Sequence, residues 1–488
     1  LTPRTAAPKV RRDPDDGETR VRKLLIGGAA VAALLAGVAW GAWRWGASQA
    51  EARLDAQAAQ LADDGVTLRW GERRVGGFPT GWTIRLTDVS ATFADGAATL
   101  EAPWMEIGAT FDDRETARAR LSPTAVLTLD PGAGGPAERI EIASTDLILR
   151  APVSGAGDRT LSAASVGLSM GDPAESVATV EGLEATIAAA GAGASVAATA
   201  TRASVAARTP QGAGLSSASD LRLSARALGV DAPGLAAFIA DGGAFEATVD
   251  MASTTSEAPG LKSEGGPTRS SVALTNGRID YDGSAEWLRY AFAPGADGGP
   301  GGLLDVGPTT VEASLPLRAG AEPQAFALAV SIARAAPDAA LWSRIDPRGA
   351  LGRDDFALNL DLSGEARLPA GIAAAAESAE SAEPPVRLET LEIRTLKASG
   401  GGGEATASGA LRLDGPTGAP QGRLHVRLAG WEPILGALAN MGIVGGEQAG
   451  LLALTLDEYN RPDAPPGVFE AEIALDGPAA FVNGRELR

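Results

Sequence analysis

The chain holds 488 residues, 45% of them hydrophobic, which is more than one small core needs and excludes a wholly disordered polymer. A net charge of −19 sets most of the surface against phosphate backbones and excludes a general nucleic-acid binder. Cysteine is absent, so structural disulfides, cysteine nucleophiles and thiolate metal sites are excluded too. Aromatic residues make up only 5% while Ala and Gly abound, so any core is built from small side chains. Lys stands at four positions only (Lys9, Lys23, Lys262 and Lys397), and Arg supplies the other basic residues. That bias fits a GC-rich genome, which is a second source of the Ala content.

Residues 1–23 form a basic tail, with seven basic side chains against four acids. Leu24 to Trp43 (LLIGGAAVAALLAGVAWGAW) then runs for 20 residues without a charge. As a helix it is about 30 Å long, the thickness of a hydrocarbon core. Arg20, Arg22 and Lys23 precede it, and Trp40, Trp43 and Trp45 mark its far end, where indole rings favour the interface. The expectation is a single-pass inner-membrane anchor at 24–43, with the tail cytoplasmic and the bulk outside. A cleaved signal peptide and a buried soluble helix are the rival readings. Residues 44–65 predict a helical stalk, with Ala47, Leu54 and Leu61 on one face and Gly65 at its stop. The apolar heptads are too few for a partner-binding coiled coil.

From Val66 the period changes to alternation. Ile84 and Leu86 alternate with Arg85 and Thr87. Over Leu100–Phe111, Ala102, Trp104 and Glu106 fall on one face and Met105, Ile107 and Ala109 on the other. Further strand signals follow, among them 126–129, 140–142, 196–208, 271–274, 326–332, 356–362, 388–396, 424–428, 451–456 and 469–475. Short strands between Gly-, Pro- and Asp-containing turns predict a mostly β protein with antiparallel sheets. Asn276-Gly277 and Asn483-Gly484 predict tight hairpins. Two short helices are expected, at Pro337–Ile345 and Trp431–Ile443, each after an alternating strand, as a weak internal repeat. Loops are expected at 130–138, 253–267, 294–302 and 374–385. The resulting layout is a tail (1–23), an anchor (24–43), a stalk (44–65), a β-rich region with loop insertions (66–320), and a second β-rich region with two short helices (321–488).

The search for chemistry returns little. His425 lies on an alternating strand beside Arg423 and Arg427, which predicts a surface position. Gly167-Leu168-Ser169-Met170-Gly171 has the spacing of a nucleophile elbow, and a carboxylate and His425 could complete a hydrolase. An elbow needs a strand before it and a helix after it, and Asp172-Pro173 follows instead. Asp112-Asp113, Asp280/Asp282 and Asp354-Asp355 read as solvated turns. Asp280-Tyr281-Asp282-Gly283 lacks the bidentate acid of a calcium loop. The expectation is therefore no enzyme, no catalytic or metal-binding residues and no cofactor.

Trp70, Gly77-Phe78-Pro79, Asp88-Val89 and Ala102-Pro103-Trp104 come in order after the stalk. Trp342, Ile345-Asp346-Pro347 and Gly349-Ala350-Leu351 follow, then 430–442 and Val482-Asn483-Gly484-Arg485. This ordered set resembles the alphaproteobacterial family carrying domain of unknown function 2125, over about residues 20–130 and 320–488. That family resembles, more distantly, the AsmA-like envelope proteins. The resemblance implies elongated curved sheets, a place in the cell envelope and a part in lipid transport or envelope maintenance, with no catalytic residues to carry over. The partners expected are the membrane and either lipid or envelope proteins. A periplasmic protein-docking scaffold without lipid is the alternative, and a serine hydrolase the remote one.

Overall fold

The computed structural model describes residues 54–487 apart from 55–57, 60, 64, 77–80, 94–95, 111–112, 114, 131–136, 153–156, 172–175, 191–192, 210–211, 229–241, 295–299, 369–385, 414–418 and 441–443. The expected tail, the anchor, most of the stalk and Gly77-Phe78-Pro79 lie outside the described residues. Among the described residues no helix is long and apolar enough to cross a membrane. They form two compact units: residues up to Ile187 with Val205–Gly214, and Ala188–Ser204 with Leu215–Arg488.

The first unit holds β1 (Val66–Arg69), β2 (Arg73–Gly76), β3 (Gly81–Phe93), β4 (Ala98–Thr110), β5 (Thr116–Leu121), β6 (Thr124–Leu129), β7 (Glu138–Thr145), β8 (Ile148–Pro152), β9 (Arg159–Met170) and most of β10 (Ser176–Ala190). Neighbours pair antiparallel, and long strands pair with two short ones laid end to end. β1 and β2 run along β3, β6 and β5 along β4, and β7 and β8 along β9.

The breaks line up across the strands as a fold line through Gly71, Asp88, Pro103, Pro123 and Asp146. Pro103 and Pro123 have no N–H to give to a ladder. Asp88 and Asp146 take left-handed backbone at φ 49° and 52°, which a short polar side chain tolerates. The ladder resumes at once on either side. Gly71 N donates to Thr87 O at 2.9 Å, Ser122 N to Trp104 O at 2.9 Å, and Ser144 N to Pro123 O at 2.7 Å.

At this line the apolar alternation slips by one residue, as at a β-bulge. Ile84 and Leu86 are buried before it on β3, and Val89 and Ala91 after it. On β4 the buried set passes from Leu100 and Ala102 to Met105, Ile107 and Ala109. The two-face reading of Leu100–Phe111 is thereby corrected, because Ala102 and Met105 share the inner face across Pro103. Two core clusters meet at the line, where Val89 joins the first and Leu68, Leu121 and Val166 pack against both. One gathers Ile84, Leu86, Met105, Ile107, Leu149 and Leu161. The other gathers Ala91, Leu100, Leu127, Ile140, Ile142 and Met170. Leu54 is buried in the first of these cores, and Leu61 is buried as well, so the stalk face predicted from its heptad spacing rests on protein at these two positions.

In the second unit the strands are β11 (Gly193–Thr209) and β12 (Gly212–Leu228), both divided between the units, then β13 (Ala244–Met251), β14 (Ser253–Ala258), β15 (Leu261–Gly265), β16 (Thr268–Thr275), β17 (Arg278–Ala285), β18 (Leu288–Phe292), β19 (Gly302–Val306) and β20 (Thr309–Pro316). They continue as β21 (Gly320–Pro337), β22 (Phe356–Leu368), β23 (Arg387–Gly400), β24 (Gly403–Arg412), β25 (Gln421–Ala429), β26 (Val468–Asp476), β27 (Ala479–Val482) and β28 (Arg485–Glu486). A second fold line crosses β12–β21 at Asp220, Ala252, Gly266-Pro267, Glu286-Trp287 and Gly307-Pro308. Its two Gly-Pro-Thr breaks repeat the missing Pro N–H of Ser122-Pro123-Thr124, where the side-chain bond runs the other way, from Ser122 Oγ to Thr124 O at 2.6 Å. Thr268 Oγ1 donates to Gly266 O at 3.1 Å and Thr309 Oγ1 to Gly307 O at 3.2 Å. From β20 to β27 the strands form a simple antiparallel meander.

Both Asn-Gly pairs make two-residue hairpins with positive φ at each residue, 53° and 71° at Asn276-Gly277, 51° and 77° at Asn483-Gly484. Helix α1 (Ala339–Ile345) follows β21 and α2 (Trp431–Asn440) follows β25, as the strand–helix repeat predicts. Pro337 ends β21 rather than opening α1; the cap is Asp338, whose carboxylate accepts from Leu341 N at 2.7 Å. A further helix, α3 (Gly446–Tyr459), replaces the strand expected at Leu451–Leu456. Ala449, Ala453 and Leu456 turn inward at helical spacing, and Gln, Ala and Leu favour a helix over a strand.

The two cores of the first unit give a direct test. Leu86→Ala and Leu127→Ala, on opposite sides of the fold line, should each lower stability by about 2–5 kcal/mol in urea unfolding. Glu101→Ala, exposed between them, should stay within about 0.5 kcal/mol of the parent.

Candidate functional site

The second unit's meander has two unlike faces. Cross-strand partners carry one apolar row through Val272, Tyr281, Ala313, Leu328, Leu362 and Ile393. A neighbouring row runs through Val311, Val330, Leu360, Leu396, Ala407 and Val426. None of these side chains is buried; most are half-buried, and Tyr281 reaches 36% exposure. In the first unit the corresponding inward residues Ile84, Leu86 and Leu127 are 0% exposed. A sheet face that another layer covered would show such values.

Among the described residues, helices cover this face at one end of the strands. Trp431 of α2 and the inward side of α3 pack on Phe469, Ala471 and Val482. Leu341 and Trp342 of α1 are buried, and Trp342 stacks on Phe356 with ring centres 5.4 Å apart.

The opposite face is wet and charged. Arg394 meets Asp361 at 3.2 Å, Arg427 meets Glu404 at 3.4 Å and Glu470 at 3.3 Å, and Arg423 meets Glu472 at 3.1 Å. Two shallow depressions lie here. One of about 520 Å³ is lined by Glu246, Asp280, Asp282, Glu312 and Asp361 with Arg394. The other, about 870 Å³, is lined by Lys397, His425, Arg427, Arg461 and neighbours.

His425 is exposed on β25 between Ser408 and Glu472, where the alternation places it. Ser169 stands inside β9, paired with Glu141 and Val177, and β10 starts six residues after Met170. That is a strand followed by a strand, so the elbow geometry is missing. Asp280 accepts a hydrogen bond from Ser314 and sits 3.6 Å from Arg278. Asp113 pairs with Arg118, and Asp355 with Arg334; Asp112 lies outside the described residues. Among the described residues no three His, Asp or Glu side chains gather as metal ligands.

The motif residues of the C-terminal half have structural work. Asp346 caps the end of α1 and folds the next turn around its carboxylate. Ala350 N donates to it at 3.0 Å and Leu351 N at 2.8 Å, while Arg353 lies 3.5 Å away and stacks over Trp342. The Leu351 N–H, chiefly, holds this carboxyl below its ordinary range; burial opposes, and Ala350, Arg353 and Gly349 reinforce. Asn460 and Asn483 close the outer edge of β26. Asn460 accepts from Glu470 N and donates to Val468 O; Asn483 accepts from Glu472 N and donates to Glu470 O and Tyr459 O. Two side-chain amides thus occupy backbone groups that another strand would use.

Asp346→Asn should destabilise the α1 turn at pH 7. Because the folded-state carboxyl is depressed, its contribution is present above the unfolded range near 3.9 and is lost as pH falls through the folded value. Urea unfolding of both proteins at pH 7 and pH 3 should therefore show a gap that narrows in acid.

A family model described as an uncharacterized protein conserved in bacteria (DUF2125) matches residues 43–307 and 291–485. No curated protein and no solved structure matches the chain.

Proposed function

The chain belongs to the DUF2125 family of proteins conserved in bacteria, and from that premise we propose that it is an inner-membrane-anchored envelope protein whose second unit holds lipid acyl chains. One observation carries this reading: the half-exposed apolar rows through Leu328, Val330, Leu360 and Leu362. Water against such a surface is unfavourable by about 25 cal/mol per Å² of apolar area, and an alkyl chain removes it without needing a hydrogen-bond partner. The uncharged run Leu24–Trp43 supplies the bilayer, with the basic tail in the cytoplasm and both β-rich units in the periplasm. The AsmA-like proteins serve as the analogue at the level of fold, through the antiparallel sheets of both units. Binding and transfer need no catalytic residue, metal or cofactor.

The full chain, purified in mild detergent and passed through detergent exchange, should retain phospholipid detectable by mass spectrometry. A Val330→Asp, Leu360→Asp double variant with an unchanged circular dichroism spectrum should lose most of it. A lipid-free parent, or lipid retained equally by the variant, would sink the reading.

A further inference from the structure

The apolar face of the second unit is interrupted by hydroxyls at one place. Tyr281 of β17 stands in one of its rows, between Val272 and Ala313. Its ring leans along the strand over Gly283, where an added Cβ would collide with the phenol oxygen. Ser270 of β16, half-buried, is the cross-strand partner of Gly283 and brings a second hydroxyl to this spot. Thr268 and Thr309 nearby already donate to Gly266 O and Gly307 O. Among the described residues neither the Tyr281 nor the Ser270 hydroxyl has a hydrogen-bond partner. Covering a glycine does not call for a phenol, since Phe326 covers Gly364 and Phe356 covers Gly400 with bare rings. From β20 to β26 both rows are apolar, one from Val311 to Ala471 and the other from Ala313 to Ile473.

We propose that Tyr281, with Ser270, determines specificity at this face by holding the ester oxygens of a glycerolipid whose acyl chains run along the rows toward β26. The proposal rests on the reading of these rows as an acyl-chain site. A lipid laid on the rows strips water from both hydroxyls. Alkyl carbon offers them no acceptor, and a covered, unpaired hydroxyl is unfavourable. Ester carbonyls are the acceptors nearest the chains of a glycerolipid, so its polar end belongs at Tyr281 and its alkyl ends where the rows hold no hydroxyl. The dimensions agree. Seven strand spacings separate β17 from β26, about 34 Å at about 4.8 Å each. The chains of one leaflet need about 15 Å, half of a hydrocarbon core of roughly 30 Å. On the other side the Tyr281 row holds Val272, Ala247 and Ala225, a shorter stretch with smaller side chains. On β20, β21 and β22 the two rows lie two residues apart, about 7 Å, which leaves room for two chains side by side.

The test sets a diester phosphatidylcholine against its diether counterpart, which keeps the chains and the headgroup and lacks the carbonyls. The full chain in mild detergent receives an equal mixture of the two, and the retained lipid is measured by mass spectrometry. Lipid that the Val330→Asp, Leu360→Asp variant still holds is subtracted as the anchor's share. The parent should retain the diester about 2- to 10-fold over the diether, the range that one hydrogen bond supplies. Tyr281→Phe keeps a ring over Gly283 and should bring that ratio close to one, with the diether retained as in the parent. Ser270→Ala should lower the ratio part of the way, and an unchanged ratio there decides against the proposal if Tyr281→Phe does not fold. A ratio near one in the parent, an unchanged ratio in Tyr281→Phe, or an equal loss of both lipids in that variant overturns the proposal and leaves acyl binding standing. A parent that retains no more of either lipid than the double variant overturns the acyl-chain reading and this one together.

Discussion

Every N–H and C=O in a sheet needs a partner, and that single constraint shapes both units. Proline cannot supply an N–H, and a left-handed Asp turns the next donor away from the ladder. At Pro123, Asp146 and Pro308 one short strand ends and another starts on the same neighbour, whereas Asp88, Pro103 and Asp220 interrupt the ladder inside β3, β4 and β12. At Pro123 the neighbouring ladder resumes through Ser144 N, and at Gly307-Pro308 it resumes through Gly307 N to Arg334 O and Ala333 N to Pro308 O. The cost of a missing donor is confined to one position, and the breaks stack into a line because a gap in one strand is best matched by a gap in the next.

The two units differ in what fills the inner face. In the first, branched aliphatic side chains on both sides of the line are fully enclosed, so burial there carries the stability. In the second, the same alternation yields rows that remain half-exposed, while the reverse face is laced with Arg–carboxylate pairs. Those pairs are solvent-exposed, with Arg423 and Glu472 at 70% and 42%, and such contacts contribute about 0–1 kcal/mol each. Their effect is to define which face stays wet and which register is correct, rather than to stabilise the sheet. The Asn460 and Asn483 amides act at the outer edge of β26, where they occupy the backbone groups of Val468, Glu470 and Glu472 that another strand would use.

Much of this was legible in the residues. The alternation over Phe326–Ile332 and Leu424–Leu428 predicts the meander, and Asn276-Gly277 and Asn483-Gly484 predict their hairpins because only positive φ closes a two-residue turn. The strand-to-helix passage after β21 and after β25 is equally visible. What escaped were events that alternation alone does not encode. The slip across Pro103 needs the neighbouring strands, since Pro123 and Asp88 fix where it falls. Leu451–Leu456 satisfies a strand pattern and a helical one over so short a stretch, and packing against Trp431 and Phe469 decides for the helix. Of the candidate site, single strands show their own apolar positions, but the joining of Leu328 to Leu362 and Val330 to Leu360 into rows depends on register, which no one strand contains.

The central claim is that these rows meet lipid rather than protein. The most direct measurement is photo-crosslinking in living cells from a photoreactive amino acid placed at Leu360, followed by mass analysis of what is attached. The account predicts phospholipid adducts on the chain. A discrete protein adduct at that position, with no lipid, would contradict it.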